Sequence, residues 1–188
     1  LETFNYEGST ESGIVLAPDV QIGYAAFEKC NSIESVHITT AGGTNKPYIG
    51  TRAFANCQSL VTVIVDDGEI GYNAFSESVN IEEVTINKGI VGYAAFSYFR
   101  RYKYYGYYGY YYAHDSRTIY KNNDGSPKKL SKLTSLTLGE GVTKIYQDAF
   151  SGIAITNLEI PSTVDEIDPF AFYDCDSLVS VRLSNKVI

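Results

Sequence analysis

The chain has 188 residues, of which 44% are apolar and 20% are charged, enough for one domain with a continuous core and too few for two large ones. Its composition excludes wholesale disorder, and no run approaches the roughly 18 apolar residues of a transmembrane helix, so we expect no membrane insertion. The chain begins at Leu1 without a leader and contains no Met. We therefore expect a mature or trimmed product.

The net charge of −7 is unevenly distributed along the chain. The segment from Ser97 to Lys132 holds eight Lys and Arg against two Asp, a net +6, which leaves −13 for the remaining residues. A basic segment in an acidic chain indicates a surface that meets an acidic partner, although basic residues can also serve only to keep an aromatic segment soluble. Because the remaining −13 repels a polyanion, we expect no nucleic-acid partner.

A six-residue motif recurs along the chain, and each copy ends in Phe. The copies are Ile22–Phe27, Ile49–Phe54, Ile70–Phe75, Val91–Phe96, Ile145–Phe150 and Ile167–Phe172. The steps from Phe to Phe are 27, 21, 21, 54 and 22 residues. Apolar residues follow each Phe at fixed offsets, as Cys57, Leu60, Val63 and Val65 follow Phe54. A repeat of this length predicts a solenoid.

Each repeat contains one strand pattern and one tight return. Residues 59–65 and 81–86 alternate β-branched with polar residues, which is typical of strands. The Ala-Phe segment is too short for a stable α-helix and predicts a 3₁₀-like turn, while glycines at 68, 89 and 139–141 predict corners. One such coil cannot bury its apolar face alone. The predicted fold class is therefore mainly β, a solenoid of stacked coils of 21–22 residues with one Tyr-rich insertion.

The three cysteines occupy one position of the repeat. Cys30, Cys57 and Cys175 each follow a Phe by three residues. We expect free buried thiols that pack as small apolar groups, with a Cys30–Cys57 bridge between adjacent coils as the alternative. The sequence holds no C-x-x-C pair for zinc or redox chemistry.

The repeated motif, together with the Pro-containing steps at 16–20 and 160–164, resembles the BspA-like (treponemal-type) leucine-rich repeats of bacterial and protozoan surface proteins. The resemblance extends from Ile14 to Ile188 apart from the insertion. It implies a leucine-rich-repeat solenoid, an extracellular location, secreted or attached to a cell surface, and a role in adhesion to host proteins, glycans or other cells.

The sequence departs from this pattern in three places. Ser78 and Ile153 stand at the Cys position, and one residue is missing before Leu158. The last residues run part-way into another coil, so we expect either a fragment of a longer array or a final coil that something else covers. We assign residues 1–188 to a single solenoid domain, with an irregular segment at 1–13.

The insertion lies at about residues 98–130 and accounts for the 54-residue step. Ten of the 17 Tyr lie between Tyr98 and Tyr120. Tyr combined with Gly and Arg is typical of antibody paratopes, and aromatic rings also stack on sugar faces. The alternatives are disorder and a flap folded over the solenoid as a hairpin with its turn at Asn123–Gly125. Under the recognition hypothesis, the ligand-binding residues are Arg100, Arg101, Tyr102, Lys103, Tyr104, Tyr105, Tyr107, Tyr108, Tyr110, Tyr111, Tyr112 and His114.

Signals of catalysis and metal binding are weak. The chain has two histidines, of which His37 is predicted to face outward from a strand, and it lacks the nucleophile, phosphate-loop and zinc-protease motifs. The acidic group Asp165, Glu166 and Asp168 is typical of solvated turn charges. We therefore expect no enzyme, no catalytic residue, no metal site and no cofactor.

The sequence thus favours a cell-surface or secreted recognition module. Its partner would be a protein of a host or neighbouring cell, or an acidic glycan, bound through the insertion. The alternative is an architectural scaffold of a longer surface protein with no ligand at the insertion. Exposed aromatic residues leave self-association open as well.

Overall fold

A computed structural model describes residues 13–16, 19–39, 45–97, 103–106, 109–112 and 131–183. Its strands are β1 Gly13–Leu16, β2 Gln21–Ile22, β3 Ser35–Ile38, β4 Tyr48–Ile49, β5 Thr62–Val65, β6 Glu69–Ile70, β7 Glu83–Val91, β8 Lys103–Gly106, β9 Gly109–Tyr112, β10 Ser135–Ile145, β11 Asn157–Ile160, β12 Glu166–Ile167 and β13 Ser180–Leu183. These residues contain no helix. The predicted irregular segment at 1–13 lies outside the described residues except for Gly13, which begins β1.

The strands form two parallel ladders that run along the axis of a solenoid. The first ladder is β1-β3-β5-β7-β10 and the second is β2-β4-β6-β7-β10-β12. In the first ladder Val36 is opposite Val63, which is opposite Val84. Equivalent positions of successive repeats therefore stack directly, which confirms the solenoid that the repeat predicts.

Two of the predicted corners lie inside continuous strands. Strands β7 and β10 run through Gly89, Gly139 and Gly141 instead of ending there, so each belongs to both ladders. The β7–β10 pairing absorbs the corner through register shifts between Leu138 and Gly141 and between Val142 and Lys144. At residues 66–68 the strands β5 and β6 do separate, as predicted.

A continuous stack of Phe rings fills the interior. The centroid distances are 5.0 Å for Phe27–Phe54, 5.3 Å for Phe54–Phe75, 4.9 Å for Phe75–Phe96, 5.3 Å for Phe96–Phe150 and 5.4 Å for Phe150–Phe172. Every pair is stacked within 10° of parallel. The six predicted repeats are thus six stacked coils sharing one core.

The return segment around each Phe is a series of tight turns with alternating hydrogen bonds. In the coil of Phe54, the Ala53 and Ala55 amides donate within the turn to carbonyls three residues earlier, as in the 3₁₀-like turn we expected. The Phe54 amide instead donates to the Ala74 carbonyl of the next coil, N–O 2.7 Å. Half of the turn amides therefore join one coil to the next.

Left-handed residues prevent these turns from continuing as a helix. The residue two positions before Phe and the residue two positions after it have φ between 50° and 77° wherever the structure describes them. They are Ala25, Lys29, Arg52, Asn56, Asn73, Glu77, Ala94, Asp148, Gly152, Phe170 and Asp174. Most are neither Gly nor Asn, so the inter-coil hydrogen bonds must offset their strain.

The Cys position has a polar role besides packing. The Cys57 thiol donates to the Phe27 carbonyl oxygen, with Sγ and O 3.2 Å apart, and Cys175 donates to Phe150 in the same way at 3.3 Å. Ser78 replaces the thiol with a hydroxyl that donates to Phe54 at 2.8 Å. All three cysteines are free, as expected, and Cys57 and Cys175 are buried, whereas Cys30 is only half-buried.

The first ladder is interrupted after β10. Among the described strands, β11 pairs with β13 and not with β10. The second ladder continues across this boundary, because Lys144 and Ile145 pair with Glu166 and Ile167. The interruption coincides with the residue missing before Leu158, which shortens the chain between the Phe150 turn and the next strand.

Candidate recognition surface

The insertion leaves and re-enters the solenoid between two coils that remain fully paired. At its exit the Ser97 hydroxyl lies 2.7 Å from the Ser151 hydroxyl of the next coil. At its return the Lys132 amide donates to the Val79 carbonyl oxygen at 3.3 Å. The coils on both sides therefore fix the two ends of the insertion.

Part of the insertion is a β-hairpin with its own two-stranded sheet. Strands β8 and β9 are antiparallel and pair Tyr104 with Tyr111 and Tyr105 with Tyr110. The pairing of Gly106 with Gly109 leaves two residues between the strands. A hairpin is one of the alternatives expected for this segment, but the strands that pair are β8 and β9, which residues 107 and 108 connect in the sequence. The turn proposed at 123–125 lies outside the described residues.

The predicted ligand-binding residues fall into two groups. Lys103, Tyr104 and Tyr105 lie on β8, and Tyr110, Tyr111 and Tyr112 lie on β9, so the hairpin brings six of the twelve together. Arg100, Arg101, Tyr102, Tyr107, Tyr108 and His114 lie outside the described residues.

Glu166, Asp168 and His37, which the sequence singled out, each contact a side chain of a neighbouring coil. Lys144 Nζ lies 2.7 Å from Glu166 Oε2 and 3.8 Å from Asp168 Oδ1. The hydrogen bond from Lys144 lowers the pKa of Glu166. His37 is half-buried on the outer side of β3, as expected, with its Nε2 3.0 Å from Asp66 Oδ2. These contacts are typical of structural pairs rather than of a catalytic cleft.

Two searches of the described residues, for metal-ligand clusters and for membrane-spanning helices, gave no candidate. No group of three or more His, Cys, Asp or Glu side chains within them could hold a metal ion. No helix in the same part of the chain is long and apolar enough to cross a membrane.

The sequence reasoning missed an exposed row of tyrosines on the solenoid itself. Tyr24, Tyr72 and Tyr93 each stand two residues after the registered aliphatic residue of the second ladder. Tyr146 and Tyr48 complete the row from neighbouring positions, and we call these five residues the tyrosine stripe. The recurring Ile-Gly-Tyr triplet was the available signal for three of them.

Comparisons with known proteins gave one family and two solved structures that resemble this chain. The BspA type leucine rich repeat region matches residues 6–105 and 118–188 in six copies. A leucine rich cell surface protein from Faecalibacterium prausnitzii A2-165 has a similar structure, with 27% identity and a TM-score of 0.61 over 92% of this chain. A leucine-rich repeat protein from Bacteroides ovatus ATCC 8483 has 19% identity and a TM-score of 0.48 over 93% of this chain. No curated protein matches the sequence.

This chain spans 38% of the Faecalibacterium protein and 46% of the Bacteroides protein. Repeat scaffolds of leucine-rich repeat proteins are typically non-enzymatic. The family match covers most of the sequence, and the six stacked coils reproduce its repeat. The chain therefore belongs to the BspA-type leucine-rich repeat family.

Proposed function

We propose that this chain is an extracellular recognition module that binds an acidic ligand through its insertion. One observation carries the proposal: Phe96 and Phe150 stack at 5.3 Å although 54 residues separate them. The solenoid thus accommodates the insertion with its core stacking intact. A scaffold that holds a chemically distinct segment at a fixed place is suited to display a binding surface.

The chemistry of the segment favours an acidic ligand. It carries a net +6 in a chain whose remaining residues carry −13. Arg binds carboxylates and sulfates through paired hydrogen bonds, and Tyr adds a large contact area at the cost of fixing two side-chain torsions. Carboxylate-rich proteins and sialylated or sulfated glycans both present negative charge beside flat apolar surface. Arg can bind the charge and Tyr can contact the apolar surface. We further propose that the module has no catalytic activity and acts in adhesion.

The test is an array of acidic glycans and surface proteins probed with the intact chain and with a variant lacking residues 98–127. Circular dichroism and melting must first show that the deletion variant is folded. We expect binding by the intact chain and none by the variant. Equal binding by both would move the site to the repeats, and no binding by either would support the architectural scaffold.

A second experiment compares two double variants that remove the same amount of charge from different ends of the insertion. Arg100→Gln with Arg101→Gln removes two charges beside the hairpin, whereas Lys128→Gln with Lys129→Gln removes two charges from the other end of the insertion. We expect the first pair alone to weaken binding at least tenfold, and raising the salt concentration to weaken binding by the intact chain. Equal effects would indicate a general electrostatic attraction without a defined site.

A further inference from the structure

We propose that Tyr93 and Tyr146 form a modification site, at which one-electron oxidation joins the two phenol rings in a covalent dityrosine cross-link. The ring centroids lie 4.6 Å apart and the ring planes are tilted by 35°. Among the ring contacts in which the structure describes both partners, this is the one between two tyrosines. The cross-link would connect the coil before the insertion to the coil after it.

Backbone hydrogen bonds hold the two tyrosines beside each other. The Tyr146 amide donates to the Val91 carbonyl oxygen at 2.9 Å, and the Ala94 amide donates to the Gln147 carbonyl oxygen at 3.0 Å. These two bonds join the coils on either side of the ring pair. The backbones of the two tyrosines are therefore fixed relative to each other, which favours coupling within one chain over coupling between chains.

Lys144 restrains the Tyr146 ring from its other side. Lys144 Nζ lies 4.3 Å from the centroid of this ring and 2.7 Å from Glu166 Oε2. A cation and a second ring at such short distances occupy opposite faces of an aromatic ring, so Tyr146 is held between Lys144 and Tyr93. Tyr93 is 46% exposed. Its ring can therefore turn about the soft terminal torsion and bring a carbon ortho to the hydroxyl against Tyr146.

The reaction is balanced with hydrogen peroxide as the oxidant and a haem peroxidase as the catalyst. Each phenol gives up one electron and its hydroxyl proton and becomes a tyrosyl radical. A bond then forms between one ortho carbon of each ring. Each of these carbons loses its hydrogen as a proton, and the oxygen of the same ring regains one. The two electrons and two protons removed overall reduce hydrogen peroxide to two molecules of water.

The composition of the chain directs oxidation towards tyrosine. The sequence contains 17 Tyr but no Met and no Trp, so the readily oxidised thioether and indole side chains are absent. Cys57 and Cys175 are buried, and burial raises the pKa of both thiols to about 11. Both thiols therefore stay protonated and react slowly with oxidants, which leaves the half-buried Cys30 as the competing thiol.

The cross-link would offset the main entropic cost of the insertion. Tyr93 and Tyr146 are 53 residues apart in the sequence, and the insertion lies between them. A covalent bond between the two rings removes much of the freedom of this long loop from the unfolded chain. The cross-linked coils should therefore stay stacked at urea concentrations that unfold the unmodified chain.

The test treats the intact chain, at low concentration, with a haem peroxidase and hydrogen peroxide and examines its tryptic peptides by mass spectrometry. Trypsin should release residues 89–100, which contain Tyr93, and residues 145–182, which contain Tyr146. We expect these two peptides to be joined and to lack two hydrogen atoms. Fragmentation should place the bond on Tyr93 and Tyr146, and not on Tyr98 or Tyr173 of the same peptides.

Three substitutions by Phe test the assignment, because Phe keeps the ring but lacks the phenol hydroxyl. Tyr93→Phe and Tyr146→Phe should each lower the yield of the joined peptides at least tenfold. Tyr72→Phe is the matched control and should leave the yield unchanged. Tyr72 is 39% exposed, close to the exposure of Tyr93, but its ring contacts no other ring among the described residues.

Three results would overturn the proposal. They are cross-links between chains only, joined peptides that persist in Tyr93→Phe or Tyr146→Phe, and an equal loss of yield in Tyr72→Phe. The purified cross-linked chain should also unfold at a higher urea concentration than the untreated chain, and equal midpoints would refute the stabilising role. Because no ligand takes part, these results are independent of the function proposed for the insertion.

Discussion

Phe96 and Phe150 stack in the same way as Phe75 and Phe96, with centroids 5.3 Å and 4.9 Å apart and planes within 5° in both pairs. The first pair is separated by 54 residues and the second by 21. The geometry of the core therefore does not depend on the length of chain between consecutive coils. The insertion is an addition to the solenoid and not a component of it.

Deleting residues 98–127 should leave the solenoid folded and at least as stable. The deletion leaves residues 128–130 between Ser97 and Ser131, where the coil of Phe75 uses two residues between Ser76 and Val79. A shorter loop has less entropy to lose, about 0.6 kcal/mol for each halving of its length. We expect the free energy of unfolding in urea to be unchanged or raised by up to about 2 kcal/mol. Loss of a single cooperative transition would show that the insertion supports the core.

Replacing Gly92 by Ala should destabilise the protein, whereas replacing the equivalent Gly23 by Ala should not. A Cβ on Gly92 would lie only 2.1 Å from the Ile70 carbonyl oxygen of the preceding coil, whereas a Cβ on Gly23 would meet nothing within 4 Å. We expect Gly92→Ala to lower the free energy of unfolding by about 1–3 kcal/mol. Gly23→Ala should change it by less than about 0.5 kcal/mol. Urea titration of both variants measures the two free energies of unfolding. A similar loss for Gly92→Ala and Gly23→Ala would contradict the explanation by close contact between coils.

Replacing Lys29 by Gly should stabilise the protein. Lys29 is exposed with φ of 61°, in the left-handed region that costs a side-chain-bearing residue about 1–2 kcal/mol. Gly removes this strain but gains freedom in the unfolded chain, so we expect a net increase of about 0.5–1 kcal/mol. Lys29→Ala keeps the strain and serves as the control. If both variants melt at the same temperature, removal of the lysine side chain, and not relief of strain, explains the effect.

Stability should fall as the pH rises above about 9. Burial raises the pKa of both Cys57 and Cys175 from 9.0 to about 11. Between these values the folded chain keeps protons that the unfolded chain releases, so each thiol contributes stability at neutral pH that is lost progressively. The loss is on the order of 1 kcal/mol for each thiol at pH 10.

Urea titrations at pH 8 and pH 10 measure this loss. The control is the double variant Cys57→Ser with Cys175→Ser, in which hydroxyls replace the thiols as Ser78 does naturally and do not ionise in this range. It should lose about 2–3 kcal/mol less than the parent between the two pH values. Equal losses would assign the pH dependence to tyrosines and lysines instead.

The coil architecture could be predicted because every coil buries the same positions. Phe54, Leu60 and Val63 have equivalents in each repeat, and a shared core permits no other register. The residue missing before Leu158 also marked the place where the first ladder is interrupted, although the sequence alone did not show which ladder would lose its pairing. A departure from the repeat is informative for the same reason as the repeat itself, because each position must match its equivalent in the neighbouring coils.

Other features could not be predicted from residue types. Ala25, Lys29 and Arg52 have no preference for left-handed backbone, and only the hydrogen bonds from the next coil place them there. Tyr48 and Tyr146 occupy repeat positions different from the other stripe tyrosines, so only the stacking of coils unites them. The insertion belongs to no repeat, and its composition predicts a kind of contact without a geometry.

The interruption of the first ladder between β10 and β11 has a mechanical consequence. Tension applied along the solenoid axis acts on the hydrogen bonds between coils, and most coil boundaries carry two strand ladders in addition to the turn bonds. Among the described strands, the boundary after β10 lacks the first ladder and keeps the second, through Lys144 with Glu166 and Ile145 with Ile167, together with turn bonds such as that from the Phe150 amide to the Ala171 carbonyl. Under load this boundary would open first, so the array would extend in a defined order while the coils that carry the insertion remain closed.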